Sequence, residues 1–467
     1  MRIYICLPST SVLLVASLYS ASAWATKCEI QRGYVGAEGV VLDSSGSEWK
    51  FKRKAFRGNS IANVYATSVG RCRLTDSLSF KTQVSGVYAF QAHQPGSLED
   101  KKNQGTGILN DAVLSWMVNG PLYIDLGKLR TASGNLFSVS PLDLLRNYSS
   151  NMRSVRVNGL GDRWRSFYSE GAYGTSATLY HDEGTYTLWW LPRLIHHNKR
   201  NESAANWSSL ERTNSTDRYY ASYTNSGLKD FNTTFSLLAG DQKTFAAGIN
   251  GNVMDNVILS VEGSVSQGET WRHLDMSSAR QMRELKYVNK PYKTRHSGIE
   301  GDLGISLRYT SSEQKEFGVE YYGQSQGYSR SEWKDVFNTV RFVNGGYKNL
   351  LPAFAITPDV RNSYEQYSRM MAAETDNVSR SGSFQGKHYA TLYIRTNKEQ
   401  VGTIDWSVSG TTNLVDQSSV VNLHFSTPLQ NDFLVYTGVS ASFGSKNSEF
   451  GNFGEKGNGY AGIQFSW

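Results

Sequence analysis

Along most of this chain apolar and polar residues alternate with a period of two, the spacing of a strand that turns one face to an apolar medium and the other to water. In the last nine residues Ala461, Ile463, Phe465 and Trp467 fall on one face, and Tyr460, Gly462, Gln464 and Ser466 on the other. The same pattern predicts eighteen strands. The first five are Gly33 to Leu42, Ser60 to Val69, Leu78 to Phe90, Asn110 to Val118 and Leu122 to Gly127. The middle eight are Ala172 to His181, Thr185 to Leu191, Asp217 to Thr224, Asp230 to Ala239, Lys243 to Asn250, Val257 to Gly268, Ile299 to Tyr309 and Glu316 to Tyr328. The last five are Lys387 to Thr396, Thr403 to Thr412, Ser418 to Ser426, Phe433 to Phe443 and Asn458 to Trp467.

The connections sort by length. Gln91 to Leu109, Lys128 to Gly171, Pro192 to Thr216, Glu269 to Gly298 and Ser329 to Gly386 are long and fall at one end of an up-and-down arrangement. Asn119-Gly120, Asp182 to Gly184 and Thr310 to Lys315 are short and fall at the other. Barrels that span a membrane have short periplasmic turns and longer external loops. In hydrocarbon a bare sheet edge leaves its N–H and C=O groups unpaired, so spanning strands must close into a ring. The expected fold is all-β, a transmembrane antiparallel up-and-down barrel of about eighteen strands (16–18), with both termini periplasmic. A sandwich or propeller also alternates, but no blade-like repeat occurs. The longest connection holds one expected short helix, Ser363 to Glu374.

Composition fits this reading. A mean hydropathy of −0.45 with 12% aromatic residues, 43 Gly and 9 Pro suits many short strands joined by polar loops. Arg2, the apolar run Val12 to Leu18 and Ala23-Trp24-Ala25 predict a secretory leader over Met1 to Ala25, with the barrel domain from residue 26 to 467. After the leader no apolar run reaches eighteen residues, so no transmembrane helix is expected. The leader takes Cys6 with it. Cys28 and Cys72 then fall at the same end of the first two strands, which makes them an expected disulfide in an oxidising compartment; the alternative is two unrelated buried thiols.

The terminal strand resembles the one by which Gram-negative outer-membrane barrels are recognised for assembly, with Phe465 and Trp467 as its aromatic end. The connection after the fifth strand, around 128–171, resembles the constriction loop that folds into the lumen of porins. More broadly the chain resembles the substrate-specific eighteen-stranded porins, whose lumen carries a ladder of Arg residues. This resemblance implies that Arg130, Arg146, Arg153, Arg156, Arg163 and Arg165 line the pore, with Asp143 as a countercharge. Guanidinium groups there exchange a solute's carboxylate or phosphate hydration for charge-assisted hydrogen bonds.

The expected function is an outer-membrane porin for passive diffusion of small hydrophilic solutes, anion-preferring, without cofactor or metal. The net charge of +7 fits acidic partners. A second basic cluster, Arg272, Arg280, Arg283, Lys286, Lys290, Lys293 and Arg295, is expected to meet the phosphates of lipopolysaccharide. Membrane lipid, the assembly machinery and a small solute are the remaining expected partners, without nucleic acid; a homotrimer and a monomer both fit. The competing reading is a barrel with a surface or export role: polysaccharide secretion, adhesion or lipid hydrolysis. No Gly-x-Ser-x-Gly motif occurs, His181-Asp182 maps to a periplasmic turn, and no second carboxylate pair stands beside it or beside His273 with Asp275, so an enzyme is not expected.

Overall fold

The computed structural model describes residues 27–43, 48–51, 54–55, 60–90, 103–130, 133–145, 170–196, 207–380, 384–396, 398, 400–430, 432–452 and 456–467. Eighteen antiparallel strands form one closed sheet in sequence order, and the first strand pairs with both the second and the last. They are β1 (Lys27–Asp43), β2 (Ser60–Arg73), β3 (Leu78–Phe90), β4 (Asn103–Asn119), β5 (Leu122–Leu129), β6 (Ala172–His181), β7 (Gly184–Leu191), β8 (Arg218–Asn225) and β9 (Phe231–Ala239). The ring continues with β10 (Lys243–Met254), β11 (Val257–Gln267), β12 (Ile299–Thr310), β13 (Lys315–Gln324), β14 (His388–Thr396), β15 (Asp405–Asn413), β16 (Ser418–Gln430), β17 (Phe433–Phe443) and β18 (Gly457–Ser466).

Every expected strand is present, and the ends of several differ. β1 begins at Lys27 rather than Gly33 and β4 at Asn103 rather than Asn110. Each carries a register shift, one between Ile30 and Arg32 and one opposite Gln83 and Val84. A bulge puts the alternation out of phase, so a period-two reading stops where the ladder continues. The thirteenth strand ends at Gln324, not Tyr328. The expected leader, Met1 to Ala25, lies outside the described residues.

Alternation decides which side of the wall each residue takes. Phe235, Leu237, Phe245, Leu303, Leu307 and Val319 are exposed on one side, while their neighbours Ser236, Thr244, Ser306, Glu262 and Glu320 are buried on the other. A barrel that is apolar outside and polar inside is built for lipid, since water would leave that apolar band without a partner. No helix among the described residues is long and apolar enough to cross a membrane.

On the inner face four tyrosines lie flat over the glycine directly opposite them: Tyr65 on Gly36, Tyr393 on Gly318, Tyr460 on Gly438 and Tyr436 on Gly462. Each ring occupies the space a Cβ would need. Cys28 and Cys72 are also direct cross-strand partners, joined as a disulfide with Cα atoms 4.0 Å apart. Both sit within β1 and β2, rather than before the one and after the other.

The end with the long connections carries helices: α1 (Ser209–Thr213), α2 (Met276–Arg283), α3 (Arg330–Val343), α4 (Pro358–Arg380) and α5 (Glu449–Asn452). Where one short helix was expected, α4 extends beyond it at both ends and α3 is additional. Leu274, Met282, Trp333, Phe337, Tyr364 and Met371, from the connections that bear α2, α3 and α4, share one buried core, which Trp49 joins from the β1–β2 connection. Ser329 and Glu332 form a capping box at the start of α3, and Asp275 caps α2.

Candidate functional site

The connection that leaves β5 lies against the inner wall. Its first described residue, Arg130, donates to Gln83 Oε1 at 3.0 Å and stands 3.4 Å from Asp111 Oδ2, on β3 and β4. Five residues later the Asn135 amide donates to Glu262 Oε1 on β11 at 2.6 Å. Five residues reach at most about 18 Å when extended. β5, which the connection leaves, and β11 stand six strands apart in a ring of eighteen, so Arg130 and Asn135 are held by different walls.

Two glutamates hold the segment where it arrives. Glu320 on β13 accepts from the amides of Phe137 and Ser138, the latter at 2.8 Å, and from Ser138 Oγ at 2.7 Å. Glu262 accepts from Asn135 and from the Ser140 hydroxyl. A carboxylate offers acceptors only, and a segment without secondary structure supplies the donors a buried pair of this kind requires. Gly134 starts the docked turn at φ 95°, and a Cβ there would strike Ser140 and Glu262. Packing completes the attachment. Phe137 stacks on Tyr393 at 4.3 Å, Leu136 and Pro141 cover Gly304, Leu142 covers Gly248, and Leu145 joins Leu191, Tyr220 and Leu238. Lys128 and Glu170, both buried and 3.6 Å apart, flank the two ends of the connection.

The wall that Arg130 leaves is basic. Arg71 on β2 is the direct partner of Lys81 on β3, and both take the side that Tyr65 and Thr67 mark as inward. Lys81 Nζ is 3.9 Å from Asp111 Oδ2, and its side chain is 48% exposed. Arg32, exposed and paired in register with Val69, lies on the same face. Cations with this exposure on an inward face meet the water of the lumen.

Among the expected pore residues, Arg130 is therefore on the inner face, while Asp143 is buried in the docked turn, its amide donating to Ser140 O at 3.2 Å. Arg146, Arg153, Arg156, Arg163 and Arg165 lie outside the described residues. The sequence reading missed Arg32, Arg71, Lys81, Glu262 and Glu320. The signal for the two glutamates was present: each is the inward residue in an otherwise clean alternation.

The second basic cluster is largely spent on internal ion pairs. Arg272 meets buried Glu374 at 2.7 Å, Arg283 meets Asp335 at 2.9 Å, Lys293 meets Asp275 at 3.1 Å and Arg295 meets Glu269 at 2.6 Å. Lys286 pairs with Glu284 at 2.7 Å. The Arg272 and Arg283 pairs tie the connection that bears α2 to α4 and α3, and the other three lie within that connection. Burial pushes the Glu269 carboxyl up, but His273 and Arg295 together outweigh it and hold the group below its ordinary range. His273 also bonds Gln326 O at 2.8 Å, a structural role.

No family model matches the chain, and no curated protein does. Among solved structures it is similar to Acinetobacter baumannii OccAB2, with a TM-score of 0.50 and 9% identity over 95% of this chain and 98% of that one. It is similar to Pseudomonas aeruginosa OccK8 (OprE), with a TM-score of 0.51 and 10% identity over 95% and 99%. A third is Acinetobacter baumannii OccAB1, at 0.51 and 8% over 95% and 97%. At such identities the likeness is one of fold: the chain is an eighteen-stranded closed antiparallel barrel of the same architecture as these proteins.

Proposed function

We propose that the chain is an outer-membrane channel through which small hydrophilic solutes diffuse passively, with a preference for anions. The observation that carries this reading is the exposed basic set Arg32, Arg71 and Lys81, with Arg130 beside it, on the wall opposite the docked segment. Asp111, 3.9 Å from Lys81 and 3.4 Å from Arg130, and Glu29, in register with Arg71, offset only part of this charge, while Glu262 and Glu320 on the far wall are occupied by the segment's own donors. Fixed cations beside a narrowed aqueous path lower the barrier for an anion and raise it for a cation. In this reading the segment 133–145 narrows the lumen, and Arg146, Arg153, Arg156, Arg163 and Arg165 add to the same field.

The orientation follows from the connections. None at the β1–β2 disulfide end exceeds 397–404 in length, and the long ones are all at the other end, so the termini face the periplasm and the helices face out. An oxidising periplasm suits the Cys28–Cys72 bond. Phe465 and Trp467 then end the strand offered to the assembly machinery.

A role at the outer surface is the second reading, favoured by the buried core that the external connections build for themselves. Single-channel recording in a planar bilayer under a salt gradient decides between the two. Stable openings with an anion-selective reversal potential support the channel; silence from a barrel of correct heat-modifiable migration selects the surface role.

A further inference from the structure

The outer wall between β6 and β11 carries a groove whose residues are set by strand register. Ala177, Leu188, Ala221, Leu237 and Phe245 are successive cross-strand partners and face outward. One step toward the short connection 240–242 runs a second row: Trp190, Tyr219, Ala239, Lys243 and Gln267. Alanines between large side chains leave a concavity of about 1180 Å³, open to the exterior of the barrel.

The polar end of this groove has a fixed height. Outward positions Ile249, Ala247 and Phe245 on β10 and Val261, Gly263 and Val265 on β11 are apolar and pair in register. Lys243 and Gln267 are the next pair, the first polar residues after that band. That margin is where lipid headgroups stand, and Trp190 and Tyr219 in the same row are the residue types that favour it.

The neighbouring acids are already engaged. Asp241 is held by Arg218 through two bonds of 2.8 and 2.7 Å, and Glu269 by Arg295 at 2.6 Å. Lys243 itself is exposed and has no ion-pair partner among the described residues. An amine at the headgroup margin, above an apolar trough and beside a free amide, is complementary to a phosphate that carries acyl chains.

The geometry points to a binding site for lipid A, the phosphorylated, multiply acylated anchor of lipopolysaccharide: acyl chains lie over Ala177, Ala221 and Ala239, and a phosphate meets Lys243 with Gln267. This rests on the reading that the wall faces outer-membrane lipid with the 240–242 end outward.

The test is native mass spectrometry of the full barrel in detergent, titrated with lipid A, with lipid A lacking its phosphates, and with phosphatidylglycerol. One lipid A per chain is expected, held about fivefold more weakly by Lys243→Ala and lost in Ala221→Trp, which fills the trough. Equal retention by Lys243→Ala, or equal binding of the phosphate-free lipid, overturns the site. Phosphatidylglycerol binding as well as lipid A overturns the choice of lipid. A change of oligomeric state in Ala221→Trp assigns the face to a second copy of the chain instead. Bilayer conductance of the same preparations keeps the two readings apart: a folded, conducting barrel indifferent to Lys243 loses the lipid site alone, and a silent barrel that binds lipid A loses the channel alone.

Discussion

Arg71 and Lys81 stand directly opposite each other on β2 and β3, two cations side by side on the inner wall. Like charges in this position destabilise a sheet, by up to about 1 kcal/mol. Glu29, in register with Arg71, and Asp111, 3.9 Å from Lys81, offset only part of that. The arrangement makes sense if a passing anion relieves it. Changing both residues to Gln should leave the barrel equally stable or slightly more so, while moving the reversal potential toward cations. The shift should shrink at high salt, where charges are screened. An unmoved potential at low salt would remove this pair from the solute path.

Glu320 and Glu262 face the opposite test, because each holds chain rather than solute. Hydrogen bonds to a charged group are worth roughly 1.5–3 kcal/mol each, and Glu320 accepts three from Phe137 and Ser138. Glu320→Ala with Glu262→Ala should free the segment 134–142, giving larger and noisier single-channel conductance with unchanged barrel migration. If conductance keeps its wild-type value, the segment does not narrow the path.

The strands were legible in the sequence because lipid and water enforce strict alternation, and Leu303, Ile305 and Leu307 against Gly304 and Ser306 show it undisturbed. Connection lengths then placed Cys28 and Cys72 at the same end of the barrel, and the register made them direct partners. The basic wall was not legible. Alternation along the strands gives Arg32, Arg71 and Lys81 their inward side one by one, but only the register of β1, β2 and β3 shows that the three stand together on one wall. Apart from the part of α4 expected at Ser363 to Glu374, the helices were missed for a different reason. Ser329 and Glu332 at the start of α3 are a readable capping box, but the apolar residues behind it bury against two other connections, a tertiary fact that no local period records.

The Cys28–Cys72 bond closes a chain separation of 44 residues. Loop entropy places its contribution at about 2–4 kcal/mol. A Cys28→Ser, Cys72→Ser variant should therefore refold more slowly and lose its migration shift at lower denaturant, with conductance unaffected. Non-reducing mass spectrometry of protein from native membranes checks the bond itself: one linked peptide is expected, and two free thiols would contradict it.

Acid should loosen the helical cap before it touches the barrel. Burial raises the Glu269 carboxyl, His273 and Arg295 more than reverse this, and the folded group titrates below the ordinary 4.5. Glu332 is shifted the same way: burial raises it, and the Ser329 amide and hydroxyl outweigh that. A group depressed on folding stabilises fully above its unfolded pKa and loses that contribution as pH falls through the folded one. Limited proteolysis should therefore begin to cut the connections 268–298 and 325–387 as pH drops below about 4.5, with barrel migration intact. Glu269→Gln should flatten the acid dependence and make the cap more labile at neutral pH. Simultaneous loss of cap and barrel would show that they unfold as one unit.

Tyrosine over glycine sets the inner wall near the closing seam, and a single methyl group tests it. A Cβ on Gly36 would coincide with the Tyr65 ring. Gly36→Ala must then lift Tyr65 off the sheet, breaking its 3.0 Å bond to Tyr436 Oη and disturbing the 3.3 Å bond from Tyr436 to Glu38. Overpacking of this kind costs about 1–3 kcal/mol. Gly39, three residues along the same strand, has open space where its Cβ would go, so Gly39→Ala should be close to neutral in the same urea titration. The decisive comparison is Gly36→Ala in a Tyr65→Ala background. With the ring gone the methyl has room, and the two changes should be strongly non-additive. Equal costs with and without the ring would mean that Gly36 matters for its backbone, and that Tyr65 does not hold the β1–β2 register by lying on it.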